Sequence, residues 1–401
     1  ISDTASAIAG GNAIARNKAV NIVATDDATV SEAGIIDAAS NSGSNTYNIK
    51  DSASNIAGST NALLSTAGTV TVDGNSTIAN ANTIADFEKA VVYNISDEAS
   101  NIPASVSSGL NEAVNIVITD DVTFAKGKVI EDASNSGTIT YSINDSAAAI
   151  TAGIGSDIAV INAATTVTAN TNALKAEANT LGGATKSIVF NIKDTGVNVA
   201  SINSSALNEA VNIIIDGTAL VSQAVIVDNA SNSGTDTYNI TDSAANLAAS
   251  SNDLLVKAGT VIANTQATAV EANAIGGYAK AVTFSVTDSA VNIASADTDA
   301  LSEAVDITVN DTATVAQAEF IEARTNSGTN TYSITDSATN LAASSNTVLA
   351  KASSVSANTN ATQAQANTIG EFDKAVTYNI SDTATNIAGG NATGRNEAVD
   401  I

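Results

Sequence analysis

One block of sixteen residues recurs along this chain, and that recurrence constrains the fold more than any other feature. TYNITDSAANLAASSN (237–252) returns as TYSITDSATNLAASSN (331–346), 94 residues later, and also as TYNIKDSASNIAGSTN (46–61) and TYSINDSAAAITAGIG (140–155). Shorter echoes lie between: VVYNISDEASNI (91–102), IVFNIKDTGVNV (188–199), VTFSVTDSAVNI (282–293) and VTYNISDTATNI (376–387). Self-similarity at a fixed period is the signature of a solenoid, whose units are too small to bury a core alone and must stack.

Each unit is anchored on the polar residue that closes its apolar run: Asp3, Asp26, Asp51, Asp73, Asp97, Asp120, Asp145, Asn170, Asp194, Gly217, Asp242, Asn264, Asp288, Asp311, Asp336, Asn358 and Asp382. These anchors define 17 coils of 22–25 residues in four types, so the larger period is 94 residues, stretched once to 97 by the segment 152–165. The super-repeats run approximately 1–94, 95–191, 192–285 and 286–379, with 380–401 partial. The expected organisation is one continuous solenoid, a window of a longer array.

Each coil opens with a β-branched run such as VNIVAT, TYNIK or VVYNIS, which favours a strand. Asp then precedes an Ala-rich stretch, as a helix N-cap would. Leu247, Leu254, Leu255 and Ala258 share helical spacing, as do Ile293, Ala300, Leu301 and Ala304. The NSG triplets at 41–43, 135–137, 232–234 and 326–328 place Gly where a left-handed helix C-cap would lie. Pro103 should interrupt the helix begun near Asp97. The expected fold is a single parallel β-sheet of about 17 stacked coils, one strand plus a short helical turn per coil. At ~4.8 Å per strand it would be roughly 80 Å long. A helix about 10 Å wide fits that rise poorly, so an all-β parallel helix is the alternative.

Composition narrows the function. The chain carries 41 acidic and 15 basic residues, a net charge of −26. That disfavours nucleic acid and anionic membrane as partners. With no His or Cys there is no ordinary zinc, copper or haem site and no Ser–His or thiol catalysis. Carboxylates alone, on coils of nearly constant length, build no cleft, so no enzymatic activity is expected. No cofactor is expected either, apart from Ca²⁺, which suits hard oxygen ligands. The paired Asp26, Asp27 and Asp120, Asp121 are its candidate ligands, although neither an EF-hand loop nor a glycine-rich calcium nonapeptide is present.

Stacking turns equivalent residues into ladders. Lys89, Lys186, Lys280 and Lys374 each precede a strand aromatic by four residues, and the matching position one coil later holds Glu112, Glu209, Glu303 and Glu397. Four inter-coil Lys–Glu pairs are expected. The aromatics Tyr47, Tyr93, Tyr141, Phe190, Tyr238, Phe284, Tyr332 and Tyr378 occupy one strand position in every second coil. They suit a core stack better than a sugar-binding row. Asn55, Asn101, Asn198, Asn246, Asn292, Asn340 and Asn386 follow the corner Asp by four residues and are expected as a buried Asn ladder closing the turn.

The pattern in ITDSAANLA (240–248) and ISDTATNIA (380–388) resembles repeats of giant secreted bacterial β-strand-repeat proteins of the adhesin-like kind, over the whole chain. The resemblance implies an extracellular or cell-surface location and dependence on Ca²⁺. The function expected is a structural repeat of an extracellular filament, sheath or matrix fibre that self-associates end to end or laterally. The alternatives are a passive adhesin stalk and a solenoid that binds Ca²⁺ or polysaccharide.

Overall fold

The computed structural model describes residues 1–401. Strands and helices alternate in sequence from Ser2–Asp3 to Ala392–Asn396, and every paired strand is parallel to its neighbour. A helix in every coil rules out the all-β alternative. Chain contacts cluster into two units, Ile1–Ile192 with Ile202–Asn212, and Lys193–Ser201 with Ile213–Ile401. No helix is long and apolar enough to cross a membrane.

The strands do not form the single sheet expected. The first unit holds an eight-stranded sheet running in sequence order from Ser2–Asp3 to Val167–Ala169. The second holds a four-stranded sheet (Ile192–Thr195 to Val261–Ala263) and two three-stranded sheets, Val286–Asp288 to Asn330–Thr331 and Ile334–Asp336 to Val376–Thr377. The reason lies in alternate coils. Ile22–Ala28, Val70–Ser76, Ile116–Val122 and Ile213–Ala219 are continuous seven-residue strands that pass their corner through a bulge. In two of them the bulge is turned by a glycine at positive φ, Gly74 or Gly217. The equivalent runs Val167–Ala169, Val261–Ala263, Ile307–Val309 and Val355–Ala357 stop after three residues, at Asn-Thr or Asn-Asp. There the ladder thins to isolated bridges such as Ala267↔Val286 and Ala313↔Ile334.

Helices fit the short strand rise because coils alternate. Odd-numbered coils carry two short helices, as in Ala53–Ala57 and Asn61–Thr66; the exception is the coil of Asp145, where the insertion lengthens the first helix to Ala147–Ser156. Even-numbered coils carry one longer helix, as in Ile78–Ala85. That helix packs on Ala53–Ala57 of the coil before and on Ser108–Glu112 of the coil after. Like helices are therefore spaced by two rises, about 9–10 Å, which matches a helix diameter. Contact points use small residues: a Cβ on Gly182 would stand 2.4 Å from Ala206 Cα, and one on Gly109 2.6 Å from the Ala81 carbonyl carbon. Leu247, Leu254, Leu255 and Ala258 are all buried, but on two helices, Ala244–Ala248 and Asn252–Lys257, with Ala258 at the second one's end. Before Pro103 the first helix shrinks to a single 3₁₀ turn, Ala99–Asn101.

The NSG glycines do not cap helices in the left-handed conformation; only Gly74 and Gly217 have positive φ. Gly137 and Gly328 are needed because the chain presses against the coil beneath. An added Cβ would meet Asn115 Oδ1 at 2.4 Å and Asp306 Oδ1 at 2.3 Å, while the glycine N–H groups donate to Val114 O (2.7 Å) and Val305 O (2.8 Å). Gly137→Ala should therefore lower unfolding free energy by about 1–3 kcal/mol. Gly155→Ala, in a helix with open space around it, should raise it by about 0.5–1 kcal/mol. Urea melts of the two variants test the difference, and equal effects would contradict the close contact.

Candidate functional site

The chemistry-bearing side chains gather at the corner where strand turns into helix. The corner Asp does not cap its own helix; the following Ser or Thr does, as Ser52 accepts from Asn55 N–H and Ser243 from Asn246 N–H. The Asp carboxylate ties three pieces of chain together. Asp242 Oδ1 accepts from Ser243 N–H (2.7 Å) and Asn246 Nδ2 (2.8 Å), while Oδ2 accepts from Val221 N–H (2.9 Å), the first N–H of the preceding coil's helix. Asp336 repeats this with Ser337, Asn340 and Val315, and Asp51 with Ser52, Asn55 and Val30. Each carboxylate satisfies a helix-terminal donor on the preceding coil and sits at the positive end of that helix.

The seven asparagines close their turns, as expected, but they are not a buried ladder. Each Nδ2 donates to the Asp four residues earlier at 2.7–2.8 Å. Six of them are exposed and Asn198 is half-buried. They recur only in alternate coils, about 9–10 Å apart, beyond side-chain reach. A different polar ladder runs along the outer face of the sheet. Asn94 Oδ1 accepts from Asn115 N–H (3.1 Å) and Nδ2 (2.9 Å), and Asn115 Oδ1 accepts from Thr138 N–H (2.8 Å). Its sequence signal is the Asn that directly follows the strand aromatic, as at Asn48, Asn94, Asn191 and Asn239.

Asp26 and Asp120 do the capping work in even coils, accepting from Ala5 N–H (2.6 Å) and Ala99 N–H (2.5 Å). Asp27 and Asp121 are exposed, and Asp121 accepts from Asn144 Nδ2 (3.2 Å). The two Asp–Asp corners are four coils apart, roughly 19 Å, and no group of three or more acidic side chains converges at either one. In three other coils Thr171, Thr265 and Thr359 supply the same cap through Oγ1 at 2.9–3.0 Å. A hydroxyl can therefore replace the carboxylate in this role.

None of the four expected Lys–Glu pairs forms. Lys89 Nζ donates instead to Ala67 O (2.7 Å) and Lys186 Nζ to Ala164 O (2.5 Å), both carbonyls at a helix C-terminus of the preceding coil. The negative end of the helix attracts the ammonium. Glu112 and Glu397 lie close enough to Tyr93 and Tyr378 to raise those phenols, after burial, which is the larger cause; Glu209 and Glu303 occupy the equivalent positions, opposite Phe190 and Phe284. The ion pairs that do form are elsewhere: Lys50–Asp73 (3.2 Å), Lys193–Asp216 (3.5 Å), Lys128 with Asp132 and Asp157 (2.9 Å each), Lys257–Asp228 and Lys351–Glu322.

All eight aromatics are core residues at 1–2 % exposure. Five of the six tyrosines among them donate to carbonyls of the same coil's second helix, as Tyr93 to Gly109 O (2.9 Å), Tyr141 to Val160 O (2.7 Å) and Tyr378 to Gly394 O (2.7 Å), whereas Tyr47 bonds Asp37 Oδ1 (3.0 Å) and Thr66 Oγ1 (2.6 Å). Burial pushes the Tyr47 phenol up to about 12. Shallow grooves recur beside the corners at Asp51 and Asn55, Asp242 and Asn246, Asp336 and Asn340, and Asp382 and Asn386. Each corner carboxylate there already accepts three hydrogen bonds. No family model matches the chain, and no characterised protein aligns with it.

Asp242→Ala should cost about 2–4 kcal/mol, because it strips acceptors from two backbone N–H groups and one amide. Glu209→Gln should change stability by less than about 0.5 kcal/mol, since Lys186 bonds a carbonyl instead. Denaturant titration of both variants checks this. Stability should also depend on pH in a defined way. Asp51 and Asp288 are opposed by burial, but their hydrogen bonds prevail and hold both carboxyls below the usual range; the bonds from Gln363, Asn386 and Thr383 do the same for Asp382. A depressed folded pKa stabilises above the unfolded value and is lost as pH falls through it. Burial raises Glu131 and Asp236, which act oppositely. The melting temperature should therefore stay level down to about pH 5 and drop below about pH 4; a steady rise into acid would contradict the corner bonds.

Proposed function

We propose that this chain is a structural repeat region of an extracellular bacterial filament, sheath or matrix fibre. The observation that carries the reading is the use to which the polar residues are put. The corner carboxylates, the outer Asn and Thr rows, and Lys89 and Lys186 spend their hydrogen bonds joining one coil to the next. A sequence that commits its functional groups to stacking has load-bearing continuity as its product. The remaining carboxylates give an acidic surface that keeps such a material hydrated and repels non-specific partners.

Antibody against the chain, applied to intact cells and followed by electron cryo-microscopy of the labelled material, tests the reading. Long unbranched fibres with a rise near ~4.8 Å per coil are the expected result. Short rods ending in globular heads would reassign the chain to an adhesin stalk. Labelling only after the cells are permeabilised would overturn an extracellular role.

A further inference from the structure

In the first unit the helices pack on one side of the eight-stranded sheet, and its other side is open to solvent. Burial alternates along the strands outside their corner bulges: Tyr47 and Ile49 are inside while Thr46, Asn48 and Lys50 face out. All-parallel sheets ordinarily have both faces covered. This open face is also chemically distinct from the rest of the chain. Its register brings together uncharged rows such as Ser96–Val117–Thr140 and Asn94–Asn115–Thr138. The exposed charges of these strands gather at the corner side, at Asp3, Asp26, Asp27, Lys50, Asp73, Asp120 and Asp121. Val23, Val92 and Val117 are 38 %, 54 % and 39 % exposed on this face.

We propose that this face docks a second copy of the chain, sheet against sheet. The inference rests on the reading of the chain as a fibre-forming repeat and names the surface by which fibres would associate laterally. Two observations select a second copy. Strand lengths and spacing make the whole face, its charged corner side included, roughly 750 Å² per partner, close to the ~800 Å² per side of a standard stable interface. A chain of net charge −26 repels its copies wherever carboxylates meet, and the uncharged rows are where two copies can approach without opposing them. The surrounding carboxylates make such pairing salt-dependent, tightening as ionic strength rises.

Sedimentation equilibrium of the 401-residue chain, over a range of protein and salt concentrations, tests the proposal. The expected result is a monomer–dimer equilibrium strengthened by salt. Val92→Glu should weaken it on the order of a hundredfold by burying an unpartnered carboxylate. Val291→Glu, on an exposed helix position, should leave it unchanged. Thermal melts confirm that both variants fold. A monomer under every condition would overturn the proposal, as would a dimer indifferent to Val92→Glu. A monomer that instead pellets with insoluble cellulose or chitin, and loses this with Val92→Glu, would overturn it in favour of a polysaccharide partner. The measurement is made on the isolated chain, so its failure removes the lateral contact alone; the filament reading is judged by microscopy.

Discussion

The structure depends on one carboxylate placed at the end of a strand. A parallel strand followed at once by a helix leaves the helix N–H groups without acceptors, and each further coil repeats that deficit. The corner aspartate resolves it across coils: one oxygen holds its own turn, and the other reaches the helix start of the coil before. Each turn is thereby completed by its neighbour. An isolated coil would lack half of its capping, which is the physical form of the rule that solenoid units do not fold alone.

The second constraint is spatial. Strands stack at under half the width of a helix, so identical coils with one helix each would collide. Alternation between two-helix and one-helix coils removes the conflict, and it explains why the aromatics and the Asp–Asn pairs appear only in every second coil. Tyrosine in the two-helix coils is buried, and its hydroxyl finds an acceptor in a carbonyl of the second helix. Glycine and alanine at the helix contacts, such as Gly182 against Ala206 and Gly276 against Ala300, let the backbones approach.

Acidity and stacking are compatible because the charges lie where they do not oppose each other through the core. The outer sheet rows are neutral and linked to one another, while helix ends collect the cations: Lys89 and Lys186 on carbonyls, and Arg395 on Ile387 O and Gly390 O (2.7 Å to Gly390 O). The same helix-end field that draws these cations away from glutamate draws the corner carboxylates to the N-termini.

The sequence by itself determined the coil length, the strand-then-helix order, the core position of Tyr47 and its equivalents, and the interruption at Pro103. These follow from periodicity and local stereochemistry, which are written in consecutive residues. It did not reveal the partners. Spacing put Lys186 opposite Glu209, but whether an ammonium meets a carboxylate or a helix carbonyl depends on which end of which helix lies beneath it. Gly137 looked like a cap because a triplet shows backbone preference and not the Asn115 side chain that presses on it. The division into four sheets likewise rests on a bend at Asn-Thr or Asn-Asp, whose effect on pairing exists only when the next coil is in place. Tertiary structure decided these points because each is a contact between residues some 20 positions apart, made only once the coils are stacked.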